Sequence, residues 1–284
     1  MNAGRGAALV LVMWLIALLT ALIGAYASIA RIELMQGRVL SRGLVAEQAA
    51  RAGLEYAMVR LNDPDPETQW LADGRLYPWT FGEVAVDVRA VDESSKVDLN
   101  AADVNLLTSL LRVVGAEPDV ATAVATAIAD WRDSDPLTQV AGGAEDPQYA
   151  EAGRPYGAKD APFETVGEVE QVLGMTPALY EKVVEHLTVY SGQAEPDQRY
   201  ASGAVLQAMG IDPTAILQQR ESGMAPPGDA GLVGGGSGTY SIDSRARLSD
   251  GRQAVLRAVV RAGASGVPGS AYMPLRWEEG ATPR

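Results

Sequence analysis

The side chains with the most evident chemical potential in this sequence are carboxylates. Asp130, Asp133, Asp135, Glu145, Asp146 and Glu151 follow one another within a short stretch whose single base is Arg132. Like charge at that density raises the energy of a compact state unless a cation offsets it. The chemistry open to such a group is hard-cation binding. Ca²⁺ takes about six to eight oxygens in flexible geometry, whereas Mg²⁺ prefers a rigid octahedron and keeps several waters. The spacing is not that of an EF-hand loop, so these residues by themselves leave two readings open, a calcium site and a solvated acidic loop. Asp130 and Asp133 are three apart and share a face if the preceding helix persists that far. Gly142 and Gly143 precede Glu145 and Asp146, which suits a loop that turns back on itself.

Other chemistries are scarce. The chain has 284 residues, no Cys and one His. Thiolate nucleophiles, disulfides, zinc ribbons and iron–sulfur centres are therefore excluded. His186 sits at the edge of an apolar helical face, where packing explains it better than catalysis. The glycine run at 231–238 lacks the Lys and the strand–helix context of a phosphate loop, and residues 223–238 read as a flexible linker. Paired carboxylates could serve acid–base hydrolysis, yet no pocket signature accompanies them. No catalytic residue is assigned, and the chain is not expected to be an enzyme.

The acidic stretch must be held by its neighbours, and these read as helical. Val114-Gly115-Ala116-Glu117-Pro118, Leu173-Gly174-Met175-Thr176-Pro177 and Met209-Gly210-Ile211-Asp212-Pro213 repeat one pattern. Gly suits the left-handed position after a helix, Thr or Asp caps the next one, and Pro fits its first turn. Glu117 is a poorer cap. Thr165 and Glu168 form a capping box. Three αα-hairpins with tight turns are expected. Strands flank this section: Glu83–Ala90 alternates with Val84, Val86 and Val88 on one face, and Tyr240–Leu248 is joined to Gln253–Val260 through the hairpin turn at Asp250-Gly251.

At the other end, residues 7–30 carry no charge and lie between Arg5 and Arg31. As a helix, this segment would be about 36 Å long, enough to cross a hydrocarbon core of about 30 Å. A signal peptide cleaved near Ala25–Ser28 is the rival reading. The helical pattern, however, continues through Leu54, Ala57, Met58 and Leu61, predicting one helix over 7–61 with a cytoplasmic N-terminus.

A short leader ending in Gly6, an apolar run and a long amphipathic stalk resemble type IV prepilin-like proteins. That resemblance implies cleavage by prepilin peptidase between Gly6 and Ala7, with methylation of the new N-terminus. Most such proteins carry Glu at the fifth mature position, where this chain has Leu11. Among them, the K-type minor pseudopilins of type II secretion systems lack that Glu. Further landmarks resemble the same family in order: Ala49–Ala57, Val91–Glu93, Lys96–Ala102, Asp130–Asp135, Gly142–Asp146, Pro162–Val169 and Gly174-Met175. The resemblance implies a structural protein that caps a pseudopilus tip and is needed for export of folded proteins. It implies a single-pass inner-membrane location with a periplasmic body. The implied partners are the I-, J- and H-type minor pseudopilins, the major pseudopilin and prepilin peptidase. It also implies structural calcium, with Asp130, Asp133, Asp135, Glu145 and Asp146 as candidate ligands.

The expected fold class is α+β: a long N-terminal transmembrane and stalk helix, a small antiparallel sheet, and a large inserted all-α domain of helix-hairpin-helix-like repeats. The expected division is leader 1–6, membrane segment and stalk 7–61, pilin-like strands 62–95, helical insertion 96–222, linker 223–238, and C-terminal strands with tail 239–284. Helix-hairpin-helix turns also suit a membrane-anchored DNA receptor. Charge opposes that alternative, because the formal net charge is −13, and residues 96–192 hold six basic side chains against sixteen acidic ones.

Overall fold

The computed structural model describes residues 4–65, 67–139, 142–221, 236–263 and 272–280. Helix α1 (Gly4–Leu61) is continuous over 58 residues, roughly 87 Å at about 1.5 Å per residue. Its segment Leu9–Ile29 is long and apolar enough to cross a membrane and is not buried by the rest of the chain. Only the last turns pack. Ala46, Ala49, Ala50, Leu54, Ala57, Met58 and Leu61 are buried at i, i+3 and i+4 intervals, the spacing that makes one apolar stripe.

After α1 come the edge strand β1 (Asp73–Phe81) and its partner β2 (Val84–Asp92). The chain then leaves the sheet. It forms a 3₁₀ turn at Glu93–Ser95, then β3 (Val97–Asp98), α2 (Val104–Val113), α3 (Pro118–Arg132) and α4 (Asp146–Glu151). A second 3₁₀ segment at Val166–Gln171 leads to α5 (Pro177–Val183), a third at Val184–His186 to β4 (Leu187–Thr188), and then α6 (Gly203–Ala208) and α7 (Pro213–Glu221) follow. The chain returns as β5 (Thr239–Arg247), β6 (Gln253–Ala262) and β7 (Tyr272–Glu279). The five-stranded sheet has the order β1-β2-β5-β6-β7, and every pairing in it is antiparallel. Its inner face, with Val86, Val88, Ile242, Leu256 and Val260, closes on the α1 stripe to make one core. Gly53 is the contact point, since a Cβ there would stand 2.3 Å from Ser244 Oγ and 2.8 Å from Val86 Cγ1. A glycine inside a helix costs about 1 kcal/mol relative to Ala, and here close packing on the sheet requires it.

The helical elements share a second core, built on Leu107, Leu110, Leu111, Val124, Ile128, Trp131, Tyr149 and Phe163. The parallel β3–β4 ladder lies at its edge. The two cores meet at a buried polar junction. Glu93 holds Lys96 Nζ at 2.6 Å and accepts from the hydroxyls of Ser241 on β5 and Thr188 on β4. Asp92 accepts from the Ser237 backbone N–H at 2.7 Å.

All three Gly-x-x-Pro turns are present. Gly115, Gly174 and Gly210 have φ of 100°, 86° and 77°, and each precedes a helix beginning at Pro. Thr176 Oγ1 accepts from Leu179 N–H at 3.3 Å, whereas Glu117 makes no cap bond. The expectation of three αα-hairpins needs one correction: the element before Gly174 is the short 3₁₀ segment Val166–Gln171. Two valines and Gly167 in six residues disfavour a longer helix there. The linker expected at 223–238 lies outside the described residues up to 235.

Candidate metal centre

Helix α3 delivers Asp130 on its last turn, with the residue fully buried. The chain then reverses, so that Gln139 N–H points at both carboxylate oxygens from 3.3 Å. Gly143 closes the reversal, and a Cβ there would stand 2.0 Å from Asp130 Oδ2 and 2.7 Å from Gln139 N. Burial raises the Asp130 pKa, with Asp133 and Asp135 adding to the effect. The helix ends at Arg132, so Asp133 is its C-cap in extended conformation, and the helical face conditionally expected for Asp130 and Asp133 does not form. Arg132 itself turns away, giving its guanidinium to the carbonyls of Leu99 and Ala102.

Glu145 is the N-cap of α4 and is 4% exposed. Its backbone N–H donates to Gln148 Oε1 at 3.0 Å. Its carboxyl is pushed up to about 7, first by burial, then by the charges of Asp130, Asp160, Asp133 and Asp135. Asp133 is raised by burial and by Asp135 and Asp160. The structure therefore couples four of the five expected residues. Asp135 is exposed and holds Leu137 N–H at 2.9 Å. Asp146 is exposed, and its carboxylate leans over Gly157, where a Cβ would meet Oδ1 at 1.6 Å. It is not among the charges that raise Glu145.

Asp160 was not legible as a member of this group. It stands alone in a loop between Lys159 and Ala161, and its signal is conformational: φ is 54°, a left-handed value for a residue with a Cβ. An aromatic wall backs the acids. Trp131 lies 5.9 Å from Tyr149 and 6.2 Å from Phe163, centroid to centroid. Burial pushes the Tyr149 hydroxyl up to about 12, and it accepts from Leu173 N–H at 3.1 Å.

Two observations bear on whether a cation fits. Asp133 Oδ1 and Glu145 Oε1 are buried without a hydrogen-bond partner, a costly arrangement for acceptors removed from water. Every side-chain donor in the group is a hard oxygen, which suits Ca²⁺. Against these, no three acidic or histidine side chains among the described residues converge to ligating distance in this conformation. His186 lies elsewhere, its Nδ1 3.1 Å from Ser202 Oγ, with burial lowering its pKa. At the N-terminal end, Gly6 and Ala7 lie within α1 with no break in the helix, and Leu11 is 67% exposed.

A long apolar-ended helix packed on a small antiparallel sheet, with a helical section carrying the acids between its strands, defines a pseudopilin-like architecture. Residues 86–192 match the family model described as type II secretion system (T2SS), protein K. The chain is 28% identical to the type II secretion system protein K of Klebsiella pneumoniae, over 72% of this chain and 71% of that protein. Its fold resembles a chain in the crystal structure of the GspK-GspI-GspJ complex from the enterotoxigenic Escherichia coli type 2 secretion system. That likeness has a TM-score of 0.61 and 17% identity, and covers 88% of this chain and 100% of the other. Residues 86–192 thus carry a type II secretion system protein K domain, and the chain as a whole resembles protein K in sequence and in fold. The DNA-receptor alternative is not favoured by any of these matches.

Proposed function

We propose that this chain caps the tip of a type II secretion pseudopilus as a structural subunit without catalytic chemistry. The observation that carries this reading is the protein K domain at 86–192 on a chain whose first helix leaves the body as a bare apolar span, Leu9–Ile29. In this reading the span anchors the chain in the inner membrane and the body stands in the periplasm. Prepilin peptidase cuts between Gly6 and Ala7, and the new amine is methylated. Leu11 then replaces the Glu that would register an ordinary fibre subunit on its neighbour. The solved complex contains GspK, GspI and GspJ, and the corresponding I- and J-type subunits, with an H-type subunit and the major pseudopilin, are the proposed neighbours. The helical section, read as one inserted domain over 96–222 built on a repeated hairpin unit, is the bulk that blocks further growth above the tip.

We also propose that the section holds structural Ca²⁺. Asp130, Asp133, Asp135 and Glu145 would hold it, with Asp160 joining and Asp146 at the rim. The ion would supply charge neutralisation, and the two orphaned oxygens of Asp133 and Glu145 support this role.

Complementation tests the main reading. In a strain lacking its own copy of this chain, the full chain restores export of a folded substrate, and a Gly6→Leu variant neither loses its leader nor supports export. Normal export without the chain would contradict a required tip subunit.

A further inference from the structure

The five-stranded sheet has two unlike faces. The inner one lies on α1, and alternation along the strands puts a row of charged side chains on the other. Arg89, Arg245, Arg247, Arg257, Arg261 and Arg276 stand on that outer face. The acids among them are Asp87, Asp243 and Glu278. Each acid is already held: Asp87 by Arg247 at 3.0 Å, Asp243 by Arg257 at 2.9 Å and Glu278 by Arg276. Arg89, Arg245 and Arg261 have no acid within ion-pair distance among the described residues, and Arg245 Nε is buried without an acceptor. A chain of formal net charge −13 therefore gathers six arginines against three acids on the outer face of β2, β5, β6 and β7, with Asp73 at the β1 edge held by Arg75 at 2.7 Å.

We propose that this outer sheet face docks a carboxylate-rich surface of another protein. The chemistry is specific in three respects. All six bases are Arg and none is Lys, and the guanidinium fork matches a carboxylate bidentately. Apolar surface on this face is confined to its edge strands, at Leu76 on β1 and Met273 on β7, while Val255 and Val259 at its centre are only 5% and 7% exposed. The three paired acids interrupt the positive field, so a partner must present its carboxylates in register, which favours a folded surface over a random polyanion.

Geometry argues against lipid headgroups as the occupant. The lower end of the sheet is the β5–β6 turn, where Asp250 meets Arg42 of α1 at 2.6 Å. Arg42 is thirteen residues beyond Ile29, where the apolar span ends, so the turn stands about 20 Å above it along the helix. A membrane surface potential is largely screened within about 8 Å at physiological salt. Nucleic acid is opposed by the acidic section above the sheet. This inference does not depend on the cation site or on the tip position.

The test uses the full chain in a nonionic detergent and a fluorescent oligoglutamate peptide as the probe, read by anisotropy at low salt. The wild-type chain binds the peptide, and Arg89→Gln/Arg261→Gln weakens binding by about tenfold or more. Both arginines are exposed, so the double variant keeps its fold, which an unchanged melting temperature verifies. Arg154→Gln, an exposed arginine in the helical section, leaves binding unchanged. Lys at positions 89 and 261 restores only part of the affinity, because it supplies charge without the fork. Peptide binding that ignores the double variant overturns the proposal, as does an equal loss in Arg154→Gln. Displacement of the peptide by inorganic phosphate more readily than by glutarate at matched ionic strength would assign the face to phosphoryl groups instead. Self-association in sedimentation that vanishes in the double variant would assign it to a second copy of this chain.

Discussion

The two cores of this molecule solve the same problem in opposite ways. The sheet-and-stalk core is apolar on its inside, and the carboxylates at its edge have partners: Asp87 and Asp243 pair with arginines, Asp250 with Arg42 of α1, and Glu55 accepts from the Tyr272 hydroxyl. The helical core buries Asp130 and Glu145 beside its aromatic wall and leaves oxygens of Asp133 and Glu145 without donors. Packing alone completes the first. The second carries an electrostatic cost that a proton on Glu145 or the proposed cation would offset, so its stability should depend on conditions to which the body is indifferent.

The sharpest way to break that contrast is to damage the body without touching the acids. Leu54 is fully buried against the sheet, and Leu54→Ala should cost about 3 kcal/mol. Thermal unfolding followed by circular dichroism should show that loss with and without Ca²⁺ alike. If the cation rescues the variant, the two cores are not separable in the way described.

The next effect belongs to the helical section without a cation. Glu145 titrates near 7 in the fold against 4.5 as a free group. Between those values the folded form keeps a proton that the unfolded chain has released, so stability falls as pH rises through this window. The loss should be on the order of 2 kcal/mol, given about 1.4 kcal/mol for each tenfold change in proton affinity. Urea unfolding in chelator at pH 5 and pH 7.5 measures it, and Glu145→Gln should flatten the dependence. A cation bound to the carboxylate should flatten it as well.

Smaller effects test the turns that hold the acids. Gly174→Ala forces a Cβ into a φ of 86° and within 3.0 Å of Val124 Cγ2. It should cost about 1–2 kcal/mol. Thr176→Ala removes the cap of α5 and should cost about 1 kcal/mol. Both losses should lower the calorimetric transition of the helical section and leave the body's transition in place.

Much of this contrast is written in local sequence. The 58-residue helix follows from an uncharged run and the Leu54–Leu61 periodicity, and β5 and β6 from alternation around Asp250-Gly251. Strands were expected over 62–95 and 239–284, but β1 and β7 could not be bounded within those ranges because Pro78 and Pro274 sit inside them, and proline disfavours a strand unless the strand is an edge, which only the assembled sheet reveals. The acids at 130–135 and 145–146 were visible as a cluster. Their ranking was not, because burial separates Asp130 and Glu145 from exposed Asp135 and Asp146. Asp160 and Gly157 belong to the site through chain reversal, and no local spacing announces them. The arginine face was hidden for the same reason, since its residues come from strands separated by the whole helical section.

Scanning calorimetry of the detergent-solubilised chain, with Ca²⁺ and then with chelator, tests the central claim most directly. The account predicts two transitions. The helical section's transition rises by several degrees in Ca²⁺, loses that response in Asp130→Asn/Glu145→Gln, and leaves the sheet-and-stalk transition, the one lowered by Leu54→Ala, fixed. Transitions that ignore Ca²⁺, or that move together, would contradict it.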